Sequence, residues 1–231
     1  MLFKKHYLLL PSILLAVACG QPGKKSGHGA DSLHHIVQQY YDERMELFPL
    51  EATMNGEHQY DSLLQIDISE HFRHRLDSFF TSYETALKGI DTAGLSSNDL
   101  ISYLMLQRDL SLSKERLKFP DHYTPFDQFS GLTLMLPLFG SGASAQPFKT
   151  NDDYRHFMSR MKSFSEWADT AIANMRQGIK AGVVLPKSLV VKILPQLADI
   201  AKKDTGNVFY APLKTLNDTA LAAAYKACIE Q

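Results

Sequence analysis

The chain has 231 residues, of which 45% are hydrophobic, 10% aromatic and 21% charged. That is ordinary globular composition and excludes a disordered, collagen-like or disulfide-rich chain. Lys and Arg number 24 and Asp and Glu 25, so a net charge of −1 gives neither a basic footprint for nucleic acid nor an acidic solvating tail.

Residues 1–19 read MLFKKHYLLLPSILLAVAC. Lys4 and Lys5 form a basic head, Leu8 to Ala18 an apolar run, and small residues precede Cys19. This is the layout of a signal peptide over residues 1–18, too short for a membrane-spanning helix of about 20 apolar residues. Ala16-Val17-Ala18-Cys19 resembles the lipobox of bacterial lipoproteins. That resemblance implies cleavage before Cys19 and lipid attachment to it. Gly20 rather than Asp follows, which fits export to the outer membrane. Residues 19–30 then read as a Gly-rich tether. Only Cys228 remains as a second cysteine, so no intramolecular disulfide is expected.

From residue 31 onward the periodicity predicts an all-α body, an irregular multi-helix array with long loops. Asp31 and Ser32 are good caps for a first helix carrying Leu33, Ile36, Val37, Tyr40 and Tyr41, closed by Phe48-Pro49. A second starts near Ser69 and shows an apolar stripe from Phe72 to Ile90. A third opens at Ser96 or Ser97, carries Leu100, Ile101 and Leu104, and runs to about Leu117. Thr150 with Asp153 resembles a capping box for the strongest helix, whose face holds Tyr154, Phe157, Met161, Phe164, Trp167, Ala171 and Met175. Gly182 supplies its stop. Pro186 starts a short helix through Ile200, with a kink or break at Pro195. The last helix covers Leu216 to Glu230. Val183-Val184-Leu185 is the one candidate strand. Residues 55–68 and 118–149 are long connections, and Leu132 to Phe139 is expected to pack.

Chemical motifs are scarce. His71 and His74 share a helix face, yet a zinc site needs a third ligand and a carboxylate base. An exposed polar face opposite Phe72, Leu76 and Phe79 explains them. No His is followed by Glu, so a His-Glu-x-x-His motif does not occur. Nucleophile elbow, phosphate loop and dinucleotide fingerprint are also missing. Cys228 reads as a small packed residue. No catalytic or metal residue is expected.

Two segments carry a resemblance. One is Phe48-Pro49-Leu50-Glu51-Ala52-Thr53-Met54-Asn55-Gly56 with Tyr60-Asp61; the other runs from Ala173-Asn174-Met175-Arg176-Gln177-Gly178 to Gly182 and Pro186. Phe126 to Gly131 and Asp152 to Tyr154 fit in order. Together they resemble the amino-terminal half of the bacterial domain of unknown function 885 family. The resemblance implies an envelope lipoprotein related to mainly helical zinc metallopeptidases. It implies peptide hydrolysis, with zinc in a carboxy-terminal half that this chain does not match. Residues 31–231 are therefore expected to be part of a larger fold, non-catalytic and without cofactor. The expected partners are the membrane, a peptide substrate and the missing half. The Pro-x-x-Ala-Thr-x-x-Gly turn is read as structural. Candidate cleft-lining residues are His122, Tyr123 and Gln128 in the long loop, and Arg176 and Lys180. The alternative reading is a stand-alone helical lipoprotein that binds a partner or ligand without catalysis.

Overall fold

A computed structural model describes residues 28–230. The expected leader and Cys19 lie outside them. The described chain is all-helical, with no strand among the described residues. Its α-helices are α1 (His28–Leu47), α2 (Pro49–Met54), α3 (Glu70–Lys88), α4 (Ser97–Arg116), α5 (Leu132–Gly140), α6 (Asn151–Ala181), α7 (Lys187–Ile200) and α8 (Thr219–Ile229). Short 3-10 turns punctuate the connections, at His58–Tyr60, Thr92–Gly94, Asp121–Tyr123 and Val208–Thr215.

Local rules account for most boundaries. Ser69 Oγ accepts from the Phe72 amide and opens α3; Ser96 Oγ accepts from the Asp99 amide and opens α4. At α6 the Thr150 hydroxyl accepts from the Asp153 amide, and the Asp153 carboxylate accepts from the Thr150 amide. Gly182 ends α6 in the left-handed region at φ +74°, and the Val183 amide donates back to Gly178 O at 2.8 Å.

Several expectations need correction. Helix α1 starts at His28, inside the expected tether, because Ala30 and Leu33 are buried and its first turn docks on the Thr92–Gly94 turn. Asp31 and Ser32 therefore lie within the first turn and do not cap it. Pro49 begins a helix as well as ending one, since its fixed φ suits the first helical position. Pro186 is the cap of α7, and the helix continues through Pro195 to Ile200. Residues 183–185 form no strand. In α4 the residues that mark the helix, Leu100, Ile101 and Leu104, point outward, while Leu106 and Leu110 are buried.

The apolar side chains gather in two cores. One joins α1, α3 and α4 through Leu33, Tyr40, Phe72, Phe79, Tyr83 and Leu110. The other joins α5, α6 and α8 through Leu136, Phe139, Tyr154, Phe157, Leu221 and Tyr225. Phe48 packs on the first core and Leu50 on the second, so the chain crosses between them at Pro49.

Helix α6 fastens the crossing segment with polar groups at seven-residue spacing. Arg160, fully buried, donates to the carbonyls of Leu63, Pro49 and Tyr60 at 3.0–3.2 Å, to Thr53 Oγ1 at 2.7 Å and to Gln146. Trp167 Nε1 donates to Asp67 Oδ1 at 2.7 Å, and Asn174 Nδ2 to Ile68 O at 2.8 Å. Seven residues are nearly two helical turns, which places all three on one face. Asp61 completes the Arg160 site: it accepts from Thr53 Oγ1 at 2.5 Å, stands 3.8 Å from the guanidinium and meets His58 Nδ1 at 2.9 Å. Burial pushes the Arg160 guanidinium down to about 10, and Asp61 opposes that shift. Arg160 stays charged near neutrality. The Pro-x-x-Ala-Thr-x-x-Gly turn thus has a structural role: Pro49 O and Thr53 are ligands of a buried arginine.

Candidate functional site

Two depressions meet at Trp167. The first, about 660 Å³, lies among the amino-terminal half of α3, the Asp121–Tyr123 turn, residues 124–132 and α6. The second, about 780 Å³, is a more apolar groove among α5, α6, α7 and α8. Phe126, Trp167 and Leu185 line both. Trp167 is buried by Phe164 stacked at 5.7 Å and Phe126 edge-on at 5.9 Å, and its indole N–H is held by Asp67. An indole buried in this way is a rigid floor between the two depressions, itself only 2% exposed.

Charges around the first depression neutralise one another. Arg73 meets Asp121 Oδ1 at 3.0 Å and donates to Leu117 O and Phe119 O. Arg116 meets Asp121 Oδ2 at 3.3 Å. Asp127 accepts from the Phe129 amide at 2.6 Å and from Ser130 Oγ at 3.0 Å, and these bonds hold its carboxyl below the usual range. Such a surface suits a flat or amphipathic group more than a strongly charged one.

The expected cleft residues separate. His122 lines the first depression, but its two ring nitrogens are sealed from solvent and make no hydrogen bond. Nε2 stands 3.2 Å from Glu70 Oε1, out of hydrogen-bond alignment. Burial, and next the Arg73 charge, push the imidazole below its ordinary value. His122 is therefore a neutral ring packed on Tyr123 at 4.2 Å. Tyr123 sits against α6 at Gly178, where a Cβ would come within 3.0 Å of the Tyr123 Cβ and 2.5 Å of Val183 O. Gln128 contributes its backbone carbonyl to Gln196 Nε2 at 3.3 Å. Arg176 and Lys180 are exposed and line neither depression. Arg176 follows Trp167 by nine residues, which at 100° each turns it to the opposite side of α6.

Asp67, Arg73, Asp121, Phe126 and Trp167 were missed from sequence. One signal was available: the lone Trp on an apolar stripe needs a partner for its N–H, and Asp67 lies in a connection long enough to supply it.

His71 and His74 are exposed on α3, on the side away from Phe72, Leu76 and Phe79. Among the described residues no three His, Cys, Asp or Glu side chains are grouped to hold a metal. Cys228 is half-buried against the second core, and burial pushes its thiol up, away from nucleophile character. No described helix is long and apolar enough to cross a membrane.

Fold and site together define an all-helical protein with an aromatic-centred double groove and paired surface charges. The chain belongs to the family of bacterial proteins of unknown function DUF885, whose model matches residues 49–231. The match begins at Pro49, the first residue of α2 and the point where the chain crosses between the cores. No curated protein and no solved structure matches the chain.

Proposed function

We propose that this protein is a lipid-anchored component of the bacterial cell envelope, held through Cys19 at the outer membrane. Its helical body is the non-catalytic amino-terminal part of a zinc-metallopeptidase-like protein. Peptide hydrolysis and zinc belong to an intact member of that type, and this body contributes surface for polypeptide to pack on.

The observation that carries the reading is the groove of about 780 Å³ along α6 and α7. Leu136, Met161, Phe164, Ile172, Ile193 and Leu197 wall it. Ile172, Val191 and Leu194 are exposed on or beside it. Monomers seldom leave continuous apolar surface of this kind bare. A groove with flat aromatic and aliphatic walls suits further polypeptide laid along it.

The test has two parts. Mass spectrometry of the membrane-bound protein should find acyl groups on Cys19. After dialysis the chain should hold no stoichiometric zinc, leave a peptide library uncut, and bind a hydrophobic dye. Tight one-to-one zinc with turnover would overturn the non-catalytic assignment. The second reading, a stand-alone helical lipoprotein that binds a ligand, is favoured by the separate depression over Trp167. A sharp cooperative melt without dye binding would select it.

A further inference from the structure

Helix α4 has an apolar face that nothing in the described chain covers. Ile101, Leu104, Met105 and Leu112 are 50–67% exposed. Spacings of three, four and seven residues put them on one stripe. The opposite side of α4 is used: Leu106 and Leu110 enter the first core, Asp99 meets His34 Nε2 at 2.7 Å, and Asp109 accepts from Tyr40 at 2.5 Å. Both acids are thereby engaged by α1, although Asp109 stays exposed beside the stripe. Two charges lie within the stripe: Arg108, with no carboxylate partner among the described residues, and Glu115, which is neutralised by Lys118 Nζ at 2.5 Å; Arg116 at the helix end is held by Asp121 at 3.3 Å. An aliphatic stripe carrying one unpaired guanidinium suits a phospholipid surface, where aliphatic groups enter the headgroup boundary and the guanidinium reaches phosphate.

The position of the stripe says which surface covers it. The amino terminus of α1 docks on the Thr92–Gly94 turn, directly before α4, and His34 and Tyr40 run beside Asp99 and Asp109. The two helices are parallel, so the described chain begins at the amino end of α4. Cys19 and His28 are nine Cα–Cα steps apart. Fully extended, those steps reach about 30 Å, which is also about the length of α4. We propose that the Ile101–Leu112 stripe of α4 lies on the membrane to which residues 1–27 lead and orients the body on it, leaving the α6–α7 groove free. For its distance argument the proposal rests on the anchor at Cys19.

The test uses the full chain in envelope membranes, with a diazirine amino acid in place of Met105 and, as control, of Lys180 on α6. Irradiation should give phospholipid adducts at Met105 and none at Lys180. Adding Ile101→Asp should lower the Met105 yield about tenfold or more, as expected when one buried aliphatic side chain is withdrawn from lipid. Circular dichroism melts check that each variant folds. The acyl mass on Cys19 is read in the same preparation. Acylated Cys19 with no adduct, or with adducts to protein alone, overturns the membrane stripe and leaves the anchor standing. Phospholipid adducts without acylation support the stripe and sink the anchor. Neither signal overturns both.

Discussion

At the scale of single residues, Arg160 governs the architecture. It is a buried cation whose hydrogen bonds go largely to backbone carbonyls of 49–63, with Asp61 as counter-charge. Arg160→Ala leaves Asp61 buried with only the His58 imidazole beside it, and the loss of a buried charge partner costs about 3–5 kcal/mol. Urea denaturation should show that drop; a change under about 1 kcal/mol would contradict the role given to it. Asp61→Leu in the Arg160→Met background should lose less than the two single changes added together, because the partners share one site. His122 makes a pH-dependent contribution of a different kind. Its imidazole titrates below the ordinary value of about 6.5, because burial and Arg73 disfavour the cation while Glu70 and Asp121 only partly oppose them. As pH falls through 6.5 the unfolded chain takes the proton first, so stability declines below that point and levels out once the folded form is protonated. The melting temperature of His122→Phe should fall less between pH 7 and pH 5 than that of the parent. An unchanged slope would show that His122 carries no linkage.

At the scale of elements, caps and turns were legible and faces less so. Ser69, Ser96, Thr150 and Gly182 mark their helix ends in sequence because capping is local chemistry between neighbours. The outward turn of Leu100, Ile101 and Leu104 was not legible: α4 has apolar residues on two sides, and only tertiary packing chooses between them. The same limit hid the Trp167 site, whose members come from α3, two loops and α6. Arg176 and Lys180 looked like cleft residues because they sit in a Gly-spaced motif, but that spacing serves backbone packing. Two glycines in this motif differ sharply. Gly178→Ala places a methyl 2.5 Å from Val183 O and against Tyr123, where backbone must move. Gly182→Ala meets open space and carries only the left-handed penalty of about 1–2 kcal/mol. Thermal denaturation should rank Gly178→Ala well below Gly182→Ala, and equal melting temperatures would refute the packing account.

At the scale of the whole molecule, the two cores are joined through α2 and the polar face of α6. The core on α1, α3 and α4 and the core on α5, α6 and α8 should open as separate cooperative units. Native-state hydrogen exchange in low urea is expected to give two groups of amides, with Arg160→Ala widening the gap between them. A single common opening free energy would show one unit. The all-helical class was legible in the 3.6-residue periodicity, but the division into two cores was not. Phe48 and Leu50 are close in sequence and give no sign that they belong to different cores.

Arg160, Trp167 and Asn174 make α6 a ruler. Its graduations are about 10.5 Å apart, the rise of seven helical residues. Apolar surfaces tolerate small slides, whereas hydrogen bonds of 2.7–3.0 Å weaken steeply with misalignment. Removing one residue between two graduations would rotate everything beyond it by 100° and take the next anchor off the line. This stretch of helix should therefore accept many substitutions on its outer side and almost no change of length.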